Sequence, residues 1–287
     1  MLRLDGLRKS FGPTLAVDGV SLAVNPGEVF GLLGPNGAGK STTIHLAVGL
    51  LSPDAGRVEI RGLGPPTDPA ARRVIGVAPQ SLAVYDDLTG RENLAFFAGL
   101  FGLGRAERRR KADEALEAVG LLDRAADRAG TYSGGMKRRL NLAAGIVHDP
   151  SLIVLDEPTA GVDPQSRDNI LGMVRRLAQR GRTVVYTTHY MEEAEKLCDR
   201  VAVIDRGRLL DLGTVHELIA RHGGDTTVTI TRGRGDHARS DAVPTKDPAR
   251  TLREAMASGG DITAVRVDRP DLETVFLTLT GRSLRDA

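Results

Sequence analysis

The sequence predicts an α/β protein organised around a mostly parallel sheet, and three observations support this fold class. A short apolar run at residues 28–33 leads into a glycine-rich loop that is followed by helical apolar spacing. A second apolar run, at residues 152–155, ends in two acidic residues, as a buried strand does at a ligand-binding edge. Between these runs, residues 91–128 change to a helical period, which indicates a helical insert in an otherwise alternating β/α pattern.

The length of 287 residues gives room for one large domain and one small one. We place the boundary at Gly223-Gly224. The first domain then spans 1–223, with the helical insert at about 91–147, and a small α/β domain spans 224–287.

Charge and hydropathy limit the possible partners. A formal net charge of +2 gives no overall attraction to nucleic acid. The single cysteine, Cys198, excludes an internal disulfide framework and suits a reducing compartment. No apolar run approaches the roughly 18 residues of a transmembrane helix, and the first residues lack a signal-peptide pattern. We therefore expect a cytosolic chain whose membrane part, if it has one, belongs to another protein.

Residue patterns predict the elements in order. Strands of the first domain are expected at residues 2–7, 20–24, 28–33, 57–61, 74–77, 152–155, 183–187, 201–204 and 208–210. Helices are expected at residues 41–51, 92–100, around 112–119, 133–147 and from 164 onward, with a loop at 65–69. In the second domain we expect strands at 226–231 and 262–267, helices at 247–257 and 271–279, and a polar, mobile segment at 232–246.

The glycine-rich loop fits the phosphate-binding pattern G-x-x-x-x-G-K-[ST]. Its glycines let several backbone N–H groups point at one anion, and the helix that follows adds its positive end. Lys40 would contact the β- and γ-phosphates, and the Ser41 hydroxyl suits Mg²⁺. An ordinary glycine-rich turn is the alternative, and the strand before and helix after argue against it. The loop residues are Gly34, Pro35, Asn36, Gly37, Ala38, Gly39, Lys40, Ser41 and Thr42.

Two further patterns point to phosphate chemistry. Asp156 and Glu157 end a buried strand, so Asp156 could hold Mg²⁺ while Glu157 deprotonates an attacking water. The alternative is a solvated acidic turn. Ser133, followed by two glycines, would cap a helix and expose a second set of N–H groups to an anion, unless it is only a capped helix start.

The ordered motifs resemble those of the ATP-binding subunit of ABC transporters over residues 1–221. The resemblance implies a cassette with a RecA-like β/α core, an antiparallel β subdomain and a helical signature subdomain, followed here by a small C-terminal domain. Tyr132 and Met136 depart from the usual Leu-Ser-Gly-Gly-Gln signature at its more variable ends. The matching positions are Gln80 of the Q-loop, the signature Ser133, Gly134, Gly135 and Met136, the D-loop ending in Asp163, and His189 of the H-loop.

The resemblance implies that the chain binds and hydrolyses ATP with Mg²⁺. Glu157, His189 and Gln80 would act in catalysis, and Ser41, Gln80 and Asp156 would hold the metal. Phe11 would stack on adenine, although it could instead be an ordinary half-buried side chain. A second copy would bind head to tail, its signature closing over the ATP held by the first.

The branch of the family is predicted from residues 161–164, residues 190–195 and the tail at 269–282. These resemble drug-exporter ATPases of the daunorubicin type, whose permeases are of the ABC-2 type. The resemblance implies export of a drug, antibiotic or lipid at the cytoplasmic face of the cell membrane. We expect the permease to contact the segment 82–93, because this apolar, loop-like stretch follows directly after Gln80. An apolar stripe in the tail could meet a partner or form the core of the tail domain; it comprises Leu272, Val275, Phe276 and Leu279.

Three other functions are alternatives to transport by an exporter. A soluble ABC ATPase acting on ribosomes would usually carry two cassettes, and one acting on DNA would carry a long coiled coil, which residues 91–128 are too short to form. The motifs do not exclude an importer ATPase. A non-catalytic regulator would not need Lys40, Asp156, Glu157 and His189 together.

Overall fold

The computed structural model describes residues 1–233 and 238–281. The chain divides into two compact units, Met1–Thr214 and Val215–Ala287. This division falls one helix before the predicted boundary at Gly223-Gly224, because the helix Val215–His222 (α8) packs against the helix Leu272–Thr280 (α10) of the second unit. Residues 234–237 and 282–287 of the predicted second domain, with the end of the tail motif, lie outside the described residues.

The first unit contains a six-stranded sheet that is parallel except at one edge. Every residue of three of its inner strands is buried, as expected for a parallel sheet covered on both faces. In spatial order the strands are β5 (Ile75–Ala78), β6 (Leu152–Asp156), β7 (Thr183–Thr188), β3 (Val29–Leu33), β8 (Arg200–Asp205) and the antiparallel β9 (Arg208–Gly213).

This strand order places the predicted motifs side by side. Four neighbouring strands, β5, β6, β7 and β3, run parallel. The carboxyl ends of parallel strands meet at one edge of a sheet, which is where open α/β sheets bind ligands. Each of these four strands leads at that edge into one motif: Gln80 after β5, Glu157 after β6, His189 after β7 and the phosphate loop after β3.

A separate three-stranded antiparallel sheet has the order β2 (Thr14–Val24), β1 (Leu2–Phe11), β4 (Ala55–Ile60). Its strands β1 and β2 are longer than predicted, because pairing continues through polar, exposed residues to Phe11 opposite Thr14. Leucine, valine and isoleucine side chains from this sheet join the core of the larger sheet.

The helices of the first unit largely follow the predictions, and the helical insert is confirmed. The helix α1 ends at Ala47 rather than at residue 51, because Gly49 turns the chain with a φ of 75°. The loop predicted at 65–69 runs into a helix, α2, that is too short to show a periodic pattern. The helices are α1 (Lys40–Ala47), α2 (Pro69–Arg73), α3 (Gly90–Leu100), α4 (Arg105–Ala118), α5 (Gly134–Ile146), α6 (Pro164–Gln179) and α7 (Met191–Leu197).

The second unit is an antiparallel sheet, β11-β10-β12, with helices α8, α9 and α10. The prediction of a mobile segment at 232–246 was wrong for β11, an exposed strand without apolar alternation that forms by pairing with β10. Most of the tail stripe is core: Leu272, Val275 and Phe276 are fully buried and offer no surface to a partner, whereas Leu279 is half-buried. The other elements are β10 (Thr226–Arg232), β11 (Arg239–Thr245), α9 (Pro248–Ala257) and β12 (Ile262–Asp268).

None of the helices within residues 1–233 and 238–281 combines the length and the hydrophobicity that a bilayer-spanning segment requires.

Replacing Gly76 in β5 with alanine should destabilise the protein. A β-carbon there would lie 2.1 Å from the carbonyl oxygen of Gly145 in α5 and 2.6 Å from Pro150 Cγ, and such overpacking costs about 1–3 kcal/mol. The matched control is Gly172→Ala in α6, where the nearest atom is Arg176 Nη1 at 3.6 Å and helix propensity favours alanine by up to about 1 kcal/mol. Urea unfolding followed by circular dichroism measures both variants. Equal midpoints would contradict the close approach of α5 to β5.

Candidate functional site

The phosphate loop connects β3 to α1, and its glycines are required by the surrounding backbone. Gly39 caps α1 with a φ of 98°, a left-handed conformation that other residues rarely adopt. A β-carbon on Gly34 would lie only 2.2 Å from the carbonyl oxygen of Ile204. The loop is therefore held against β8, and the free N–H groups at the start of α1 form an anion-binding end.

Lys40 is buried at the start of α1, although it carries a charge. Its ammonium group donates hydrogen bonds to the carbonyl oxygens of Gly34 and Pro35, at 2.8 and 2.9 Å. It also lies 3.0 Å from Glu157 Oε1. Both side chains are less than a tenth exposed, so the two charges compensate each other in a poorly solvated place.

The two acidic residues after β6 are fixed by a threonine of the neighbouring strand. Thr187 Oγ1 donates to Asp156 Oδ1 at 2.6 Å and accepts from the Glu157 N–H at 2.8 Å. The Glu157 backbone has a φ of 44°, in the left-handed region that is unusual for a non-glycine residue. Such conformations cluster at functional sites, where surrounding contacts hold them in place.

Three of the predicted site residues converge on the Glu157 carboxylate. Besides Lys40, His189 Nδ1 lies 3.3 Å from Glu157 Oε2. The side-chain amide of Gln80 donates to the same oxygen, also at 3.3 Å. A buried carboxylate is thus surrounded by one cation, one imidazole and one amide, each delivered by a different strand end.

These residues line an open cavity of about 780 Å³. Its walls also include residues that no site prediction named: Thr14, Leu15 and Ala16 from β2, Tyr190 after His189, and Arg206 and Gly207 from the turn between β8 and β9. Tyr190 belongs to the segment 190–195 that indicated the branch of the family, and the others carry no motif, so only the fold places them in the cavity. From the phosphate loop the lining contains Asn36, Gly37, Gly39, Lys40, Ser41 and Thr42.

The signature residues lie outside this cavity. Ser133 caps α5, and its Oγ accepts from the Met136 N–H at 3.2 Å. Ser133 and Gly134 are exposed. None of the cavity lining, all of it within residues 1–233, comes from the signature. The chain therefore has two separate helix N-termini suited to phosphate.

Phe11 and Asp163 also lie outside the cavity lining. The Phe11 ring is 49% exposed at the tip of the β1–β2 hairpin, next to the cavity residues Thr14 and Leu15. Asp163 caps α6 by accepting from the Ser166 N–H at 2.9 Å and hydroxyl at 2.6 Å. These hydrogen bonds lower the pKa of Asp163 below its ordinary value, so the carboxylate stays ionised.

The oxygen donors of this site fit a magnesium ion that is bound by the protein and by phosphate oxygens together. Ser41 offers a hydroxyl in the cavity wall, and Asp156 offers a buried carboxylate. Mg²⁺ binds through one or two protein oxygens and completes its shell with water and phosphate. No cluster of three or more His, Cys, Asp and Glu side chains that could hold a metal alone occurs in residues 1–233 and 238–281. The Gln80 amide nitrogen donates to Glu157, and binding of the metal through its amide oxygen stays a prediction.

Known proteins share this architecture. A structure of the ATP-binding subunit of an ABC transporter superposes with a TM-score of 0.69 at 29% identity, covering 78% of this chain and 93% of that one. The ATP-binding cassette MJ0796, in a dimeric post-hydrolysis state with ADP and Pi, superposes with a TM-score of 0.68 at 26% identity, covering 75% and 98%.

Full-length relatives are similar throughout. The linearmycin resistance ATP-binding protein LnrL of Bacillus subtilis (strain 168) is 42% identical over 100% of both chains. The Nod factor export ATP-binding protein I of Rhizobium sp. (strain N33) is 42% identical over 98% of this chain and 97% of that protein. The daunorubicin resistance ATP-binding protein DrrA3 of Streptomyces coeruleorubidus is 39% identical over 99% and 97%.

The family described as ABC transporter matches residues 17–160, which run from β2 through the phosphate loop and the signature to the residues after Glu157. The site geometry, the cassette fold and the relatives agree. This chain belongs to the ABC transporter family, as one of its ATP-binding and ATP-hydrolysing subunits.

Proposed function

We propose that this subunit hydrolyses Mg·ATP to drive export of a drug-like or lipid-like compound through a separate ABC-2-type permease, at the cytoplasmic face of the cell membrane. The observation that carries the chemistry is the convergence of Lys40, His189 and Gln80 on the buried carboxylate of Glu157. Export is supported by the relatives, two named for resistance to linearmycin and daunorubicin and one for export of Nod factor.

Glu157 is the proposed general base. Its carboxylate follows β6 at the same sheet edge as the phosphate loop, where it can accept a proton from a water aligned with the γ-phosphate. His189, 3.3 Å from Glu157 Oε2, would hold that water and the carboxylate in register. A magnesium ion held by Ser41 and Asp156 would neutralise charge on the phosphates.

The Lys40–Glu157 ion pair must separate during this cycle. Phosphate oxygens would compete with Glu157 for the Lys40 ammonium group, which lies 3.0 Å from Glu157 Oε1. Once the phosphates take over Lys40, Glu157 is free to receive a proton. ATP binding would therefore switch the base on.

The active unit is proposed to be a head-to-tail dimer of two copies. The signature Ser133, Gly134, Gly135 and Met136 is absent from the cavity lining, which lies in the described part of the chain. A second phosphate-binding helix end that cannot reach its own cavity suits an ATP held by another copy. Asp163 and Phe11 would border this shared site, Phe11 with its exposed ring facing adenine.

The permease is proposed to dock on an apolar surface that follows Gln80. Leu82 and Tyr85 are 44% and 50% exposed, and the Tyr85 ring contacts Phe96 edge-to-face with centroids 5.3 Å apart. Leu100, one turn after Phe96 on α3, is 68% exposed. An exposed apolar cluster of this kind marks an interaction surface, and Gln80 connects it to Glu157.

Glu157→Gln should slow hydrolysis by roughly 10²–10⁴-fold, the usual cost of losing a general base. ATP binding should persist, because the amide keeps the shape of the carboxylate. Steady-state phosphate release and ATP affinity by calorimetry measure the two quantities. Glu117→Gln, an exposed site on α4, is the matched control and should keep wild-type turnover. Near-normal turnover of Glu157→Gln would refute its role as base.

Ser133→Arg should bind ATP normally and hydrolyse none, because a bulky cation would block the site that receives the partner's ATP. Lys40→Ala should bind ATP about 10- to 100-fold more weakly. A mixture of the two inactive variants forms heterodimers with one intact composite site, so ATPase activity should return in part. Full activity of Ser133→Arg alone would rule out the shared-site dimer.

Leu82→Asp should uncouple transport while leaving basal ATPase activity nearly intact, because it places a charge on the proposed permease surface. Transport and ATPase activity are measured in one reconstituted preparation with the permease. Leu50→Asp, at another exposed leucine of the first unit, is the control and should change neither. Unchanged transport in Leu82→Asp would show that the permease docks elsewhere.

A further inference from the structure

Another buried carboxylate, besides those of Asp156 and Glu157, lies behind the site, and the proposed chemistry does not use it. Glu193 on α7 is 2% exposed, the lowest value among the buried charged residues that the structure describes. Its Oε2 accepts hydrogen bonds from the Tyr186 hydroxyl at 2.9 Å and the Thr188 hydroxyl at 2.8 Å. Burial, with the neighbouring Glu193 charge, raises the pKa of Tyr186 well above its ordinary value, so this phenol remains a donor.

The charge of Glu193 is matched by an arginine of another helix. Arg167 Nε on α6 lies 3.4 Å from Glu193 Oε1, and neither atom makes a hydrogen bond to any other described residue. A buried ion of this kind is costly unless it is paired. The two helices are thus joined by an ion pair that water reaches only from the Arg167 side, which is 31% exposed.

The two members of the pair contact the residues on either side of His189. Thr188 Oγ1, which donates to Glu193, also accepts from the Tyr190 N–H at 2.9 Å. The Arg167 guanidinium lies over the Tyr190 ring, 4.3 Å from its centroid. The Tyr190 ring in turn contacts the His189 ring, with centroids 4.1 Å apart. The backbone before His189 and the ring after it are therefore both fixed by this pair.

We propose that Glu193, held by Arg167, is a positioning residue that orients His189 toward Glu157. The inference rests on the role proposed above for His189. Arg167 lies in the first turn of α6, where its backbone N–H donates to the carbonyl oxygen of the N-cap residue Asp163 at 3.0 Å.

The test compares Arg167→Ala with Arg175→Ala in the full-length chain. Arg175 is on the same helix and also joins α6 to α7, through a 2.5 Å hydrogen bond to the carbonyl oxygen of Lys196, but it touches none of the residues around His189. Arg167→Ala should lower kcat roughly 10- to 100-fold, the effect of a small misplacement of a catalytic group, with ATP affinity within about twofold of wild type. Arg175→Ala should leave kcat unchanged. Equal losses in both variants would mean that the pair only connects two helices.

The same substitutions in a His189→Ala background decide whether the effect passes through His189. Residues that act through one group are non-additive, so Arg167→Ala should add no further loss there. A loss as large as in the wild-type background would overturn the proposal. Should Arg167→Ala unfold, Glu193→Gln removes the charge while keeping the shape, and the same pattern is expected.

An NMR measurement that does not depend on ATP turnover tests the positioning of His189 separately from the proposed function. Imidazole NMR resonances of the nucleotide-free chain, assigned to His189 by their loss in His189→Ala, should shift in Arg167→Ala and stay in place in Arg175→Ala. Unshifted His189 resonances in Arg167→Ala would overturn the positioning role. Wild-type kcat in His189→Ala would instead count against the catalytic role of the histidine, while the NMR comparison would still report on the pair.

Discussion

The negative charge of a carboxylate buried at the edge of a sheet needs nearby groups that compensate it. The site depends on this constraint. Glu157 is 6% exposed and carries a backbone φ of 44°, so both its charge and its conformation are unfavourable by themselves. Lys40, His189 and Gln80 surround its oxygens, and Thr187 holds its N–H. These partners come from different strands, so the compensation exists only when the sheet is assembled. Under the proposed function, phosphate oxygens that bind Lys40 would remove the cation from Glu157, the proposed base.

Close backbone packing around the sheet also fixes the position of the site. Gly34 approaches the backbone of Ile204, and Gly76 approaches that of Gly145, to distances that no β-carbon would allow. The first contact fixes the phosphate loop against β8. The second fixes α5, whose N-terminus carries the signature, against β5, whose end carries Gln80. Two anion-binding helix ends are thus anchored to one rigid sheet while pointing to different places, which is the geometry that a shared-site dimer needs.

Glu157 and Glu193 are both buried carboxylates, but their surroundings differ. Glu157 faces the cavity and is paired by groups that a nucleotide can displace, whereas Glu193 faces the protein interior and is paired by Arg167 and two hydroxyl groups. The first arrangement can change during a catalytic cycle, and the second is suited to stay fixed. His189 lies between them, with its ring against Tyr190 and its Nδ1 toward Glu157.

The sequence by itself determined the fold class, the family and most elements. The phosphate loop is a local motif, and the apolar strands and the helical insert have strong local periodicity. It also named Gln80, Glu157 and His189 as catalytic residues and Lys40 as a phosphate contact. Only the tertiary structure decided that three of them converge on the fourth, that most of the tail stripe at Leu272 is core, and that β11 is a strand. It alone revealed Thr187, Arg206 and the Glu193–Arg167 pair. The physical reason is that these features depend on partners distant in the chain: a polar edge strand, a turn residue or a buried ion pair has no periodicity of its own, and acquires its role only when the fold brings its neighbours to it.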